Sequence, residues 1–302
     1  MSDPYRPAST GGSALRVTVV VPHFNDLPAL GRCLDALQAQ TLPADAFEVV
    51  VADNASPQGQ EAVAAVIAGR ARLLIVPERG AGPARNAGVA AALAPIIAFT
   101  DSDCVPETEW LEQGLSALAD WDLIGGRMTV LIDPTRPKTG AEAFEQVFAF
   151  KNERYIREEN FTVSANLFCS RAVFEAIGPF YPAISEDVEW GQRAVAKGYR
   201  LGYAPAAVVG HPARADWQDL LKKWRRRMLE THVMAGSDLG KRLRWLGTSY
   251  LLPASIVVHA PRVLVSPDLH GPREKAAALG TLARLRLWRV VDAHRLFFGL
   301  RR

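Results

Sequence analysis

Cysteine is scarce in this chain of 302 residues, and its spacing excludes two kinds of protein. The three cysteines are Cys33, Cys104 and Cys169, and no two of them form a Cys-x-x-Cys pair. An odd number of cysteines without such spacing indicates neither a disulfide framework nor a structural zinc site. A chain of this kind fits a reducing compartment best.

Long uninterrupted apolar segments are also lacking. A membrane-spanning helix needs about 18 or more consecutive apolar residues. The nearest approach, residues 250–265, is interrupted by Pro253, His259, Pro261 and Arg262. Residues 1–14 are polar and rich in Pro, Gly and Ser, so they lack the apolar centre of a signal peptide. We expect them to form a disordered tail.

The net charge is low, at +3, but it conceals an asymmetry along the chain. Residues 222–244 contain eight Lys or Arg and two acids, and the last twenty residues contain six Arg and one acid. With 49% hydrophobic and 22% charged residues, the composition is that of a folded globular protein. The basic C-terminal third indicates contact with anionic lipid, nucleic acid or an acidic substrate.

The first half of the chain alternates short apolar strands with helical segments. The predicted strands cover residues 15–21, 47–52, 72–76 and 96–100, and the predicted helices cover 29–40, 58–69 and 82–93. This alternation is typical of a parallel sheet with crossover helices. The strands are continuously apolar, which predicts helices on both faces of the sheet. The fold class is therefore α/β, with a mostly parallel, Rossmann-like sheet.

The second half mixes helices and strands and ends in a basic helical region. Helices are predicted over residues 107–118, 141–157, 186–197 and 216–232, and strands over 123–131, 162–168 and 199–203. We predict an α/β domain over residues 15–215, in two halves that meet near residue 105. Residues 216–302 form the basic C-terminal region.

The sequence Thr100-Asp101-Ser102-Asp103 follows the apolar run at 95–99. A strand that ends in Asp-x-Asp presents two carboxylates at the carboxyl edge of a sheet, where open α/β folds bind ligands. Hard oxygen ligands suit Mg²⁺ or Mn²⁺ carrying phosphate. Strand-end turn residues are the alternative explanation for this motif alone.

Two further strand ends carry groups that suit a nucleotide base. The first strand ends in Pro-His-Phe24-Asn-Asp, and the second ends in Asp53-Asn54. An aromatic face for stacking and a carboxylate that accepts an imino N–H fit uracil, thymine or guanine. The alternative is that Asp53 caps the next helix and Phe24 belongs to the core.

A glycine-rich turn, Gly-Ala-Gly-Pro-Ala-Arg-Asn-Ala-Gly at 80–88, follows the third strand and opens a helix. Small residues let the helix N-terminus approach an anion, and Arg85 is a candidate contact to the diphosphate or to the base. The turn is neither a Walker loop nor the Gly-x-Gly-x-x-Gly fingerprint of a dinucleotide fold.

These strand ends, in this order, resemble family 2 glycosyltransferases of the GT-A fold. The resemblance extends from about residue 17 to residue 211. Residues 160–180 resemble the family's acceptor-side segment, and Ser-Glu186-Asp187-Val-Glu-Trp-Gly resembles its Glu-Asp motif. Residues 15–105 would then form the donor half of the domain, and 106–215 the acceptor half.

The resemblance implies a role for each matching residue. Phe24 would stack on the donor base and Asp53 would accept from it, while Asp101 would lie near the ribose. Asp103 would ligate the divalent ion, Mn²⁺ or Mg²⁺, with Asp101 as a further metal residue and His211 completing the shell. A structural histidine with satisfied hydrogen bonds is the alternative for His211. The full set of implied donor-binding residues is Pro22, Phe24, Asn25, Asp53, Arg85, Asp101 and Ser102.

On the acceptor side, the resemblance implies that Asp187 is the catalytic base and that Glu186 orients the acceptor. Helix-capping acids are the alternative for this pair. The implied acceptor-side residues are Ser164, Ala165, Asn166 and Trp190. Phe24 stands where the family more often has Tyr, and Asp53-Asn54 has one acid where two are frequent. The second departure leaves the choice of base open.

The leading hypothesis is an inverting, metal-dependent glycosyltransferase that uses a UDP-, GDP- or dTDP-sugar. Its acceptor would be a glycan or a lipid-linked molecule, in cell-surface glycan or glycolipid synthesis. The alternatives are a catalytically silent glycan-binding or scaffold protein of the same fold, or a sugar-phosphate nucleotidyltransferase. No recognised nucleic-acid module accompanies the basic residues, so no nucleic-acid partner is expected.

The basic segment at 217–227 places Trp217 and Trp224 among lysines and arginines. This composition is typical of an interfacial helix near anionic headgroups, and a plain solvated helix packed by one face is the alternative. We expect a cytoplasmic protein, peripheral at the inner face of the cytoplasmic membrane.

Overall fold

The computed structural model describes residues 14–181 and 185–300. The predicted tail, apart from Ala14, lies outside the described residues. The chain forms two compact units. The first comprises the described residues up to Thr129 together with Lys151–His211, and the second comprises Val130–Phe150 and the described residues from Pro212 onward. The functional division at residue 215 stays a prediction.

Eight strands form one sheet in the order β3-β2-β1-β4-β7-β6-β8-β5. Their bounds are β1 Val17–His23, β2 Phe47–Asp53, β3 Arg72–Ile75, β4 Ile96–Phe99, β5 Val105–Pro106, β6 Leu123–Leu131, β7 Leu167–Ser170 and β8 Leu201–Pro212. Parallel pairing joins four neighbouring strands, β3, β2, β1 and β4. Strand β7 pairs antiparallel with both β4 and β6, and β5 pairs antiparallel with β8. The predicted α/β class is confirmed.

The helices are α1 Leu27–Gln38, α2 Gln60–Ile67, α3 Ala81–Ala91, α4 Trp110–Ala117, α5 Gly140–Phe148, α6 Asn152–Glu159, α7 Arg171–Ile177, α8 Glu186–Ala196, α9 Trp217–Met234, α10 Leu239–Ser249, α11 Ala254–Leu264 and α12 Gly271–Phe297. The single helix predicted over 141–157 is wrong, because α5 ends at Phe148 and α6 begins after Lys151 in a non-helical conformation. The strand predicted at 162–168 is also wrong, since a 3₁₀ turn, Ser164–Asn166, precedes β7.

β1 lies at the centre of the parallel strands and is buried along its whole length. β2 pairs with one edge of β1 and β4 with the other, so the strand order reverses direction at β1. Ligands of open α/β sheets bind in the crevice outside the carboxyl ends of the strands at such a reversal. Helix α3 packs tightly against β1, because a Cβ at Gly88 would meet Val20 Cγ1 at 2.3 Å.

The second unit is helical, and α12 is its longest element at 27 residues. One of its apolar clusters joins Phe144 of α5, Leu220 of α9 and Leu282 of α12. The carboxylate of Glu145 is buried and pairs with Arg214 and Lys223. Among the described residues, no helix is both long enough and apolar enough to span a bilayer.

Candidate functional site

The carboxyl ends of β1, β2 and β4 place three of the predicted residues at one edge of the sheet. His23 at the end of β1 is in register with Asp53 at the end of β2, and Asp101 follows the end of β4. Phe24, one residue beyond β1, is 52% exposed. An aromatic face is therefore open to a ligand at the edge where such folds bind nucleotides.

Asp53 is held by internal hydrogen bonds and is 1% exposed. Its Oδ1 atom accepts from His23 Nδ1 at 2.8 Å and from Ser56 Oγ at 2.5 Å, while Oδ2 accepts from the Ser56 backbone N–H at 2.9 Å. The backbone N–H of Asp26 donates to His23 Nε2, so Nδ1 carries the proton. A base contact by Asp53 stays a prediction.

Asn54 ties the end of β2 to the glycine-rich turn. Its Nδ2 donates to the Glu78 carbonyl at 2.8 Å, and its Oδ1 accepts from the Gly80 N–H at 3.0 Å. A carboxylate at this position could accept but could not donate. The single acid of Asp53-Asn54 thus has a structural reason, which sequence reasoning missed. The turn after β2 did have a signal in the sequence, because Asp53 and Ser56 are three residues apart and Ser56 donates to the Asp53 carboxylate.

Arg85 joins segments that are distant in the sequence. Its Nη2 donates to Asp101 Oδ1 at 2.6 Å, and its Nη1 lies 3.5 Å from Glu186 Oε2. Burial lowers the pKa of Arg85, but the charges of Asp101, Asp187 and Glu186, together with the Asp101 hydrogen bond, raise it above its usual value. Arg85, the residue predicted to contact a diphosphate, is therefore paired with carboxylates of the chain itself.

Glu186 and Asp187 occupy the first turn of α8 and face this arginine. Burial raises the pKa of both carboxyls, and the Arg85 charge offsets part of that rise. Glu186 also accepts a hydrogen bond from the Gly82 backbone N–H in the first turn of α3. A Cβ at Gly82 would lie 2.9 Å from the Glu186 carboxylate, so a larger residue at this position would require that carboxylate to shift.

Asp103 and His211 form a second pair of ligand-type side chains. His211 Nε2 lies 3.4 Å from Asp103 Oδ2, and the Asp103 side chain is 45% exposed. Within residues 14–181 and 185–300, no group of three or more His, Cys, Asp or Glu forms a complete metal site. A carboxylate and an imidazole nevertheless fit a divalent ion that takes its other ligands from a diphosphate and water.

The neighbouring thiols are less suited to that ion than oxygen ligands are, because Mg²⁺ and Mn²⁺ prefer oxygen. Burial and the charges of Asp101 and Asp103 raise the pKa of Cys33 and of Cys104.

The residues predicted on the acceptor side are buried. Asn166 is 0% exposed, accepts from Trp110 Nε1 at 2.9 Å, and donates to the carbonyls of Arg127 and Ala207. Trp190 is 1% exposed and donates to the Gly178 carbonyl. Ser164 and Ala165 are also buried, in the 3₁₀ turn. These side chains are buried, and those of Asn166 and Trp190 are held by internal hydrogen bonds, so direct acceptor contact stays a prediction.

Two curated relatives align with most of this chain. Glycosyltransferase AglE of Haloferax volcanii is 34% identical over 217 residues, which is 68% of this chain and 70% of that protein. The pre-mycofactocin glycosyltransferase of Mycobacterium tuberculosis is 29% identical over 228 residues, 72% of this chain but 47% of the relative. The present chain thus spans about half the length of the mycobacterial protein.

Solved structures show the same fold at low sequence identity. The mannosyltransferase PcManGT from Pyrobaculum calidifontis, in complex with GDP-Man and Mn²⁺, has a TM-score of 0.58 and 20% identity, with 96% of this chain and 89% of that chain covered. Residues 1–349 of S. aureus TarS, in complex with UDP-GlcNAc, give a TM-score of 0.54 and 18% identity, with 94% and 91% covered. The predicted GT-A fold is confirmed.

The family assignment rests on the segment that builds the site. Glycosyl transferase family 2 matches residues 18–178, more than half of the chain, from β1 to the end of α7. That segment includes the strand ends with Asp53, Asp101 and Asp103 as well as Arg85 in α3. With AglE at 34% identity over two thirds of the chain, the chain belongs to glycosyl transferase family 2.

Proposed function

We propose that this glycosyltransferase moves a sugar from a nucleoside diphosphate to an acceptor hydroxyl, with inversion at the anomeric carbon. The observation that carries the proposal is the convergence of Asp101, Glu186 and Asp187 on Arg85, next to Asp103 and His211. Acids from two distant segments thus surround the carboxyl edge where β4 ends. Structural neighbours with GDP-Man or UDP-GlcNAc support a nucleotide-sugar donor.

On the donor side, the chain's own residues bind and orient. Phe24 stacks on the base, and Asp53, oriented by His23 and Ser56, accepts from its imino N–H. Asp103 and His211 hold the divalent ion. A bound Mg²⁺ or Mn²⁺ supplies positive charge to the leaving diphosphate.

Asp187 takes the proton of the acceptor hydroxyl. The acceptor oxygen forms its bond to the anomeric carbon while the bond from that carbon to the diphosphate oxygen breaks, and the electron pair leaves with the nucleoside diphosphate. The elevated pKa of Asp187 brings the base closer to neutral pH than an ordinary aspartate, which favours proton transfer in the transition state. Glu186 contacts or orients the acceptor. The acceptor is a glycan or a lipid-linked molecule.

The alternative functions make different demands on these residues. A silent glycan-binding protein has no need of the carboxylates, yet Asp101, Glu186 and Asp187 all meet Arg85. A nucleotidyltransferase would need a basic, glycine-rich loop after β1, where this chain has Pro-His-Phe-Asn-Asp.

Thermal unfolding with UDP, GDP or dTDP, each with Mn²⁺ or Mg²⁺, tests the donor proposal. One nucleotide should raise Tm with metal, because a ligand that binds only the folded state stabilises it by mass action. Phe24→Ala should lower affinity for that nucleotide by about fivefold or more, since an aromatic stacking partner contributes about 1 kcal/mol. Leu93→Ala is the control, because Leu93 is an exposed apolar side chain elsewhere on the first unit, at 65% against 52% for Phe24. Absence of a shift with all three nucleotides would contradict the proposal.

The dependence of transfer on pH tests the identity of the base. Activity should fall as pH falls through the raised pKa of Asp187, because the protonated carboxyl cannot accept the acceptor proton. Arg85→Gln should move this acid limb to higher pH, since the Arg85 charge lowers the pKa of Asp187. The control is Arg79→Gln, an exposed arginine just before the glycine-rich turn. If the acid limb of the pH–activity profile stays at the same pH in Arg85→Gln, the pKa that sets this limb belongs to a group other than Asp187.

A further inference from the structure

The second unit exposes much apolar surface. Of the twenty large hydrophobic side chains that are exposed in the described part of the chain, fifteen lie between residues 229 and 300. Single exposed leucines are normal on any protein, but apolar side chains grouped on one face mark a surface that something else covers.

Helix α11 carries the densest part of this surface. Its inward side packs through Val263, which is 0% exposed. Val257 is 76% exposed and Val258 is 69% exposed. The exposed apolar residues recur at helical spacing and form one stripe: Leu251, Ala254, Val257, Val258, Pro261, Leu264 and Val265. The helix is therefore apolar on the side that faces away from its own unit.

Within residues 239–265, all Lys, Arg, Asp and Glu side chains carry the same sign of charge. Residues 239–265, which comprise α10, α11 and their connection, contain four Lys or Arg and no acid. Arg242 is used internally, because it donates to the Phe297 carbonyl and stacks on the Phe297 ring. Lys241, Arg244 and Arg262 are exposed. The face thus combines aliphatic side chains with accessible cations, as interfacial helices do.

The basic segment of α9, which the sequence singled out, has its aromatic groups engaged elsewhere. Trp217 stacks under the Arg284 guanidinium at 4.0 Å, and Trp224 lies 4.6 Å from that of Arg289. Lys223 pairs with buried Glu145. These tryptophans pack against α12, so they are not available to insert between lipid headgroups.

We propose that residues 239–265, the docking face, bind the surface of an anionic phospholipid bilayer. The aliphatic stripe of α11 enters the boundary between headgroups and acyl chains, and the exposed cations contact lipid phosphates. A second copy of the chain is a poorer occupant, because a symmetric dimer would bring two acid-free basic faces together. The inference goes beyond the proposed transfer reaction, and vesicle binding is measured without donor or acceptor.

Flotation of the full chain with vesicles tests this inference. At low salt the protein should float with phosphatidylglycerol–phosphatidylcholine vesicles and remain behind with pure phosphatidylcholine. Val257→Glu/Val258→Glu should lower partitioning to the anionic vesicles at least tenfold, because two carboxylates replace aliphatic groups that enter the boundary. Neutralising Lys241, Arg244 and Arg262 to Gln should lower it by about fivefold per charge.

Leu93→Glu is the matched control, since it adds a carboxylate at a side chain that is 65% exposed on the first unit. Its partitioning should stay within twofold of the wild type. Because Val257 and Val258 face away from the core, circular dichroism and Tm of the double variant should match the wild type. Unchanged flotation of the double variant would overturn the docking face. A concentration-dependent dimer that the double variant abolishes, without vesicle binding, would assign the face to a second copy and also overturn the proposal.

Discussion

Replacing Asp187 by asparagine should lower kcat for sugar transfer by about 100- to 10,000-fold, the range that a positioned general base contributes. Asparagine keeps the shape of the side chain and removes the proton acceptor. Phe24, which is proposed to stack on the base, and the pair Asp103–His211 remain unchanged. Nucleotide affinity should therefore stay within about threefold of the wild type. Steady-state kinetics with the preferred donor, together with nucleotide-induced thermal shifts, separate these two effects.

Glu189→Gln is the control for this prediction. Glu189 lies in the same first turn of α8, but it pairs with Arg193 instead of Arg85. This pair is partly buried, but it does not involve Arg85, Glu186 or Asp187, so transfer should persist in the control. Transfer at the wild-type rate in Asp187→Asn would show that the proton leaves by another route.

Replacing Asp103 by asparagine should lower kcat/KM by at least about 100-fold and weaken the response to Mn²⁺ or Mg²⁺. Loss of even an outer partner of a metal costs about 10- to 100-fold in affinity or activity, and Asp103 is proposed as a direct ligand. Because its side chain is 45% exposed, the free energy of unfolding should change by less than about 0.5 kcal/mol. The measurement is activity as a function of metal concentration, with Tm recorded in parallel.

Asp120→Asn is the matched control, an exposed acid beyond the end of α4. It should retain both its metal response and its activity. Full metal-stimulated activity in Asp103→Asn would contradict the proposal that Asp103 is a metal ligand.

The sequence was sufficient to predict the strand ends. Asp53, Asp101 and Asp103 each follow a continuously apolar strand, and parallel strands bring their carboxyl ends to one edge. The convergence of Arg85 with Glu186 could not be predicted from spacing, because the two residues are 101 positions apart and meet only through tertiary packing. The family resemblance placed Arg85 on the donor side and Glu186 on the acceptor side, and it implied no contact between them.

Two other features could not be predicted from the sequence, for a different reason. Residues 149–151 carry no Gly or Pro, yet the helix predicted across them ends at Phe148 and another begins at Asn152, in the other unit. In α11, periodicity shows that apolar residues share a side, but it does not tell which side faces solvent. Tertiary context decides both cases.

The contact between Glu186 and the first turn of α3 has a consequence for substrate entry. Gly82 admits the carboxylate at the helix end that the glycine-rich turn was predicted to offer to a diphosphate. Glu186 is therefore a second resident anion beside the Arg85 guanidinium, in addition to Asp101, which is the nearer partner at 2.6 Å. A donor phosphate at this helix end would have to displace the Glu186 carboxylate, so donor binding would be coupled to the placement of an acid next to Asp187, the proposed base.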